Sequence, residues 1–335
     1  MSRQAELTEQ TADERHYDVV VVGGGAAGLN GALTLGRARR SVLVIDSGRP
    51  RNAPAEGVHT YLGREGTPPA ELLAAGRAEV RGYGGAFLEG TVVAAERRDD
   101  GGFRVVLADG GAVRADRLLV TTGLVDELPE VPGVAELWGR DVLHCPYCHG
   151  WEVRDREIGV LGTGPLAVHQ ALLWRQWSER VTLFLHSAPE PDEEEHERLA
   201  ARGVTVVRGE AAALETSDGR LSGVRLADGG VVPCEALAVT SRLVARAGFL
   251  ASLGLEPTDQ EMGGHVVGSH IAADATGATA VPGVWVAGNV ASLTDQVIVA
   301  AAAGMRAAAA VNADLIAEET RRAVAARRES SSVTG

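Results

Sequence analysis

The stretch Tyr17-Asp18-Val19-Val20-Val21-Val22-Gly23-Gly24-Gly25-Ala26-Ala27-Gly28 decides the fold. Its β-branched run suits a strand buried on both faces, since a strand wet on one face would alternate apolar with polar residues. The run flows into Leu29-Asn30-Gly31-Ala32-Leu33, a good helix former. Gly23, Gly25 and Gly28 carry the G-x-G-x-x-G spacing: the first allows a tight turn, the second a close backbone approach to a pyrophosphate, the third close packing of helix on strand. Ala26 and Ala27 lie within that turn, and the N-terminus of the helix that follows meets the phosphates with free N–H groups and a favourable dipole. A lone match would be weak. Here a second strand, Ser41-Val42-Leu43-Val44-Ile45, ends in Asp46-Ser47, and Asp46 lies 18 residues past Gly28, where it can accept from a ribose. The loop after it holds Arg51 and Asn52, placed to run alongside the rest of a long cofactor, together with His59, read as a solvated or core histidine.

Working outward, Pro68 to about Arg81 reads as an amphipathic helix. Segments 86–96, 103–109 and 112–115 read as a three-stranded antiparallel meander. Arg117-Leu118-Leu119-Val120-Thr121-Thr122-Gly123 is another buried strand with a small-residue end. Prolines at 129 and 132 mark 124–136 as a linker, and a second linker lies at 241–246. Between them the first unit repeats: Glu157 to Leu161 is a strand, and Gly162-Thr163-Gly164-Pro165-Leu166-Ala167 is a G-x-G-x-x-A turn 139 positions after the first. Its next strand, Val181 to Leu185, ends in His186-Ser187-Ala188-Pro189, with neither arginines for a 2′-phosphate nor an acid for a ribose. The run Asp192-Glu193-Glu194-Glu195 reads as a helix start, where the dipole favours acids. Further short strands are read at 204–208, 221–226 and 235–240, with Cys234 a small structural residue. Val284-Trp285-Val286-Ala287-Gly288-Asn289 is a last buried strand, leading through Gln296 and Val297 into an alanine-rich helix to about Ala325.

These elements predict an α/β protein of two Rossmann-like three-layer domains. One is discontinuous, over 17–135 and 245–327; the other spans 136–244. Tails are expected at 1–16 and 328–335. The reactive centre is His144-Cys145-Pro146-Tyr147-Cys148-His149, at the head of the second unit. Structural zinc wants four ligands, and no second C-x-x-C follows among the three cysteines. The two histidines abut the cysteines and would converge badly on one metal, so no metal is expected and a redox-active pair is favoured over a structural one. The net charge of −13 disfavours nucleic acid. Met1 to His16 is polar, carries both charge signs and shows no secretory pattern, so a cytoplasmic location is expected. Arg306 interrupts the apolar run 297–311, so no membrane span is expected.

The ordered set of the Gly23–Gly28 turn with Asp46, Thr121-Thr122-Gly123, the C-x-x-C, the second glycine turn and Val284 to Asn289 resembles the low-molecular-weight thioredoxin reductases over about 17–325. The resemblance implies FAD, held by Gly23, Gly25, Gly28 and Asp46 at the adenosine half. Gly288 and Asn289 would take the pyrophosphate and ribityl chain, and Gln296 would sit by the flavin ring. It implies a homodimer as well. Asn289 stands where that family usually has aspartate, and Asp295 where it often has arginine. The family usually has aspartate after the second cysteine and a histidine-arginine-arginine run for NADPH; here stand His149 and His186-Ser187-Ala188. That departure resembles the superfamily's dithiol oxidases, which close disulfides in natural products of the gliotoxin and holomycin type. It implies a small-molecule dithiol as substrate, Cys145 and Cys148 as redox pair, O2 as acceptor with H2O2 as product, and His149 with His144 behind it as base. The rivals are an NADPH-dependent thioredoxin or disulfide reductase, a ferredoxin-fed reductase, and a non-enzymatic flavin redox sensor.

Overall fold

Val19 and Val21 face one side of the first strand and Val20 and Val22 the other, each at most 4% exposed in the computed structural model. The structure describes residues 15–99 and 101–333, so the tail expected over 1–16 lies outside it up to residue 14. Strand His16–Val22 pairs in parallel with Val42–Asp46 on one side and with Ala112–Val120 on the other. Ala86–Glu89 extends the sheet beyond Val42–Asp46, and Val284–Val286 pairs in parallel with Ala112–Val120. One sheet thus takes strands from both ends of the chain. Helices Ala26–Arg37, Pro69–Gly82 and Val297–Val333 cover one face, while the antiparallel strands Val92–Arg97 and Phe103–Leu107 and the segment 247–255 close the other.

A second sheet repeats this plan. Its five parallel strands run in the order Thr205–Val207, Val181–Phe184, Ile158–Leu161, Ala236–Val239, Val142–Leu143. Ala211–Ser217, Arg220–Leu226 and Val231–Pro233 form its antiparallel meander. Helix Glu193–Ala201 opens on a capping box, with Asp192 accepting from the Glu195 N–H at 2.8 Å, so the acidic run is a helix start.

Several expectations need correction. The segment 86–96 breaks at Gly90: Ala86–Glu89 belongs to the parallel sheet, and the meander begins at Val92. The strands expected at 112–115 and 117–123 are one strand, Ala112–Val120, whose first half serves the meander and whose second half serves the parallel sheet. Both linkers contain strands. Leu124–Glu127 and Arg242–Ala245 pair antiparallel, and Thr258–Met262 and His265–His270 complete a four-stranded sheet with them. The last helix runs to Val333, past the tail expected from 328, because Ala325 to Glu329 are all good helix formers. By composition that helix could cross a membrane, but Ala300, Ala301, Ala307, Ala308, Val311 and Leu315 are core against the first helix and sheet.

Candidate functional site

One cavity of about 1020 Å³ gathers the sequence motifs. Gly23, Gly25, Ala26, Ala27, Asp46, Ser47, Arg51 and Asn52 line it from the first strands, and Thr122, Gly123, Gly288, Asn289, Gln296 and Val297 from the strand ends and last helix. His144, Cys145, Cys148 and His149 line it from the second unit. Gly28 alone of the expected site residues does not. A Cβ there would lie 1.9 Å from the Gly23 carbonyl oxygen, so it is the packing glycine of the turn. Gly25 has nothing within 4 Å of its would-be Cβ and leads into a helix with no side-chain cap and no acid in its first turn. Open backbone, uncapped N–H groups and Asp46 fit the pyrophosphate and ribose of FAD.

Three side chains are engaged differently from expectation. Arg51 donates to both oxygens of Asp126, Nε to Oδ2 at 2.6 Å and Nη2 to Oδ1 at 2.7 Å, and its Nη2 lies 3.3 Å from His144 Nε2. Ser241 also donates to Asp126 at 2.8 Å, so this buried carboxylate joins the two crossing strands. Desolvation opposes its charge, but Arg51 holds Asp126 below the usual carboxylate range. The Asn289 amide nitrogen donates to the carbonyls of Ser292, Leu293 and Asp295 at 3.0, 3.3 and 3.0 Å, shaping the turn before the last helix. Only an amide can do this; an aspartate would set its oxygens against three carbonyls. Asp46 accepts from Arg77, a partner that sequence spacing gave no means of finding.

The cysteines sit on a single helical turn, Pro146–His149, with Cys145 at its N-cap. Gly150 is required behind it: a Cβ would meet the Pro146 carbonyl oxygen at 2.5 Å and the Trp177 ring at 2.8 Å. The two Sγ atoms are 2.9 Å apart, the Cys148 S–H donating. That bond, with the backbone N–H groups of Cys148 and Tyr147 and the charge of Arg51, outweighs desolvation and draws Cys145 down to about 7. Cys148 is pushed up by the same bond and by burial. The pair therefore holds one thiolate near neutral pH.

His144 is pushed down to about 4 by burial and by the Arg51 charge, against the pull of Asp126. It is neutral at pH 7. The His149 ring lies 6.5 Å away, centroid to centroid, and is lowered by burial while Glu152 pulls the other way. His59, expected to be a bystander, lines the same cavity. Its Nδ1 bonds Glu65 Oε1 at 2.6 Å and its Nε2 lies 3.6 Å from Glu152 Oε1. The next residue, Thr60, donates to Gln296 Oε1 at 2.6 Å.

The second glycine turn is furnished otherwise. Its helix begins only at Ala167, after Pro165, which has no N–H. The Ser187 and Ala188 N–H groups both donate to the Gly162 carbonyl, at 3.1 and 3.0 Å, and a Cβ on Gly162 would lie 2.9 Å from Ala188 Cβ. Arg208, on the neighbouring strand end, is bound to Glu190, which also holds His196.

A thiol pair facing an open dinucleotide cradle defines a flavin-dependent oxidoreductase acting on sulfur groups, with FAD as its cofactor. The chain belongs to the pyridine nucleotide-disulphide oxidoreductase family, whose model matches residues 17–304. It is 35% identical over 258 residues to thioredoxin reductase tcpT of Claviceps purpurea, covering 71% of this chain and 78% of that one. Thioredoxin reductase sirT of Leptosphaeria maculans is 30% identical over 313 residues, covering 88% and 93%. Among solved structures, HlmI is 46% identical with a TM-score of 0.86, covering 93% of this chain and 96% of its own. An oxidoreductase from Agrobacterium tumefaciens is 35% identical with a TM-score of 0.83, covering 90% and 99%.

Proposed function

We propose that the chain is an FAD-dependent dithiol oxidase, which closes an intramolecular disulfide in a small natural-product-like dithiol and passes the electron pair to O2. The observation that carries this reading is the pairing of the cysteines with histidines, not a carboxylate, in the cavity that also holds the glycine cradle. In the oxidised enzyme a substrate thiolate attacks Cys145 Sγ. The Cys145–Cys148 bond breaks and Cys148 leaves with the electron pair. The second substrate thiol loses its proton and attacks the substrate sulfur bound to Cys145, releasing the closed disulfide and the Cys145 thiolate. A sulfur drawn down to about 7 is a good leaving group for that second step.

On this reading His149, beside Cys148 in the cavity lining, takes the first substrate proton, passes it to Cys148 as that sulfur leaves, and so is free to take the second; a ring held below its ordinary value is neutral, and so basic, at pH 7. His144 stays neutral and fixes the base's surroundings beside Arg51. When bound, FAD accepts the pair of electrons from the dithiol and delivers it to oxygen. The sum is dithiol plus O2 giving disulfide plus H2O2.

The second glycine turn favours the rival, an NADPH-dependent disulfide reductase. Against it, Arg208, on the neighbouring strand end, is bonded to Glu190, and Ala188 packs onto Gly162. Supplied with dithiothreitol in air, the purified protein should consume one O2 and form one H2O2 per disulfide made. Turnover that requires NADPH would sink the proposal.

A further inference from the structure

Asp46 ends strand Val42–Asp46 and lines the cavity, but its carboxylate is held from outside the cavity wall. Arg77, in the middle of helix Pro69–Gly82, donates from Nη2 to Asp46 Oδ2 and is itself no part of that wall. Two contacts fix where the guanidinium stands. Its central carbon lies 5.9 Å from the centre of the Phe87 ring, on the strand paired beside Asp46. One residue earlier, Gly76 lets this helix lie close on the first one, since a Cβ there would come 3.0 Å from Leu29 Cδ1. The carboxylate is confined from the other side as well. A Cβ on Gly24, between the first two glycines of the turn, would lie 2.7 Å from Asp46 Oδ2 and 2.8 Å from its Cγ. Oδ2 is thus enclosed between Arg77 and the glycine turn, while Oδ1 has no hydrogen-bond partner among the described residues.

We propose that Arg77 is a positioning residue for the cofactor. It holds one oxygen of Asp46 so that the other is presented to the adenosine ribose of FAD. A ribose hydroxyl donates, and an ionised carboxylate can only accept, so the free oxygen is the one that matters. A loose aspartate at a strand end loses rotamer freedom when it binds, and that loss weakens the complex. Held by Arg77, the carboxylate is ordered before the cofactor arrives. The side chains of Arg77 and Asp46 are 33% and 18% exposed, so the pair adds little to the stability of the fold and its consequence falls on binding. Gly24 serves the same arrangement, because any side chain there would displace the carboxylate. The inference rests on FAD as the cofactor and not on the dithiol-oxidase reading.

The test is the FAD affinity of the purified enzyme, read from the fluorescence of flavin released on dilution, in a double-mutant cycle. A variant that loses its flavin during purification is titrated with FAD instead. Arg77→Ala should raise the dissociation constant about fivefold, and Arg77→Lys, which keeps the charge but not the planar fork, by less. Asp46→Ala should raise it about tenfold or more. Adding Arg77→Ala to Asp46→Ala should then change nothing further, because Arg77 acts only through the carboxylate. Damage to the fold, or a direct contact of Arg77 with the cofactor, would persist in the Asp46→Ala background, and a loss of that kind would overturn the inference. So would an Arg77→Ala enzyme that holds FAD as tightly as its parent. The affinity is measured without a dithiol or oxygen, so failure of the oxidase reading leaves this result standing.

Discussion

The chemistry concentrates on a few side chains whose environments differ over short distances. Cys145 and His144 are neighbours in sequence, yet one is drawn toward its charged form and the other toward its neutral form, and Arg51 contributes to both. Alkylation of the reduced enzyme should therefore show one fast thiol titrating near 7, with the rate falling about tenfold per pH unit below it. A fast thiol that Cys145→Ser leaves in place would contradict the assignment. Arg51 has a structural duty as well. In Arg51→Ala, Asp126 would keep Ser241 but lose its cation, a loss of roughly 3 kcal/mol for a buried carboxylate. Asp126 has a depressed folded pKa, so the stabilisation it owes to Arg51 is present above the unfolded carboxylate value and lost as pH falls through the folded one. The deficit of the variant, read from denaturant melts, should be full at pH 7 and shrink in acid.

At the scale of elements, the glycines of the first turn separate two roles that a motif merges. Gly28→Ala drives a Cβ into the Gly23 carbonyl and should lower the melting temperature of the apoprotein by several degrees. Gly25→Ala meets no protein atom, so the apoprotein should melt normally while FAD affinity drops about tenfold or more. Equal effects of the two in apoprotein melts would refute the distinction. Asn289→Asp should likewise loosen the turn 292–295 and weaken flavin retention, although it installs the residue common in the resembling reductases.

This is also the scale at which sequence reading reached its limit. Strands buried on both faces, glycine turns and capped helix starts were legible because each depends on residues within a few positions. The strands at 124–127 and 242–245 were read as linkers because each is short and is stabilised by the other, more than a hundred residues away. Asp126 with Arg51, Asp46 with Arg77, and His59 with Glu152 are pairs of the same long-range kind. Residue type gave their chemistry but not their partners.

For the whole molecule, the fold duplicates one plan and then gives the copies different work. The first glycine turn opens on a cavity with an uncapped helix behind it. The second is closed in by Ser187 and Ala188 and has its arginine held by Glu190. The two crossing strands, joined by Arg51, Asp126 and Ser241, set the cysteine turn of the second unit against the cavity of the first. On the proposed reading, electron flow runs from a dithiol in the cavity to the flavin, with no need of a second nucleotide. The most direct test is to mix the yellow protein anaerobically with dithiothreitol or, separately, with NADPH, and to follow the flavin spectrum. Bleaching by the dithiol alone, reversed by oxygen with release of peroxide, is the expected result; rapid bleaching by NADPH would return the chain to the reductases.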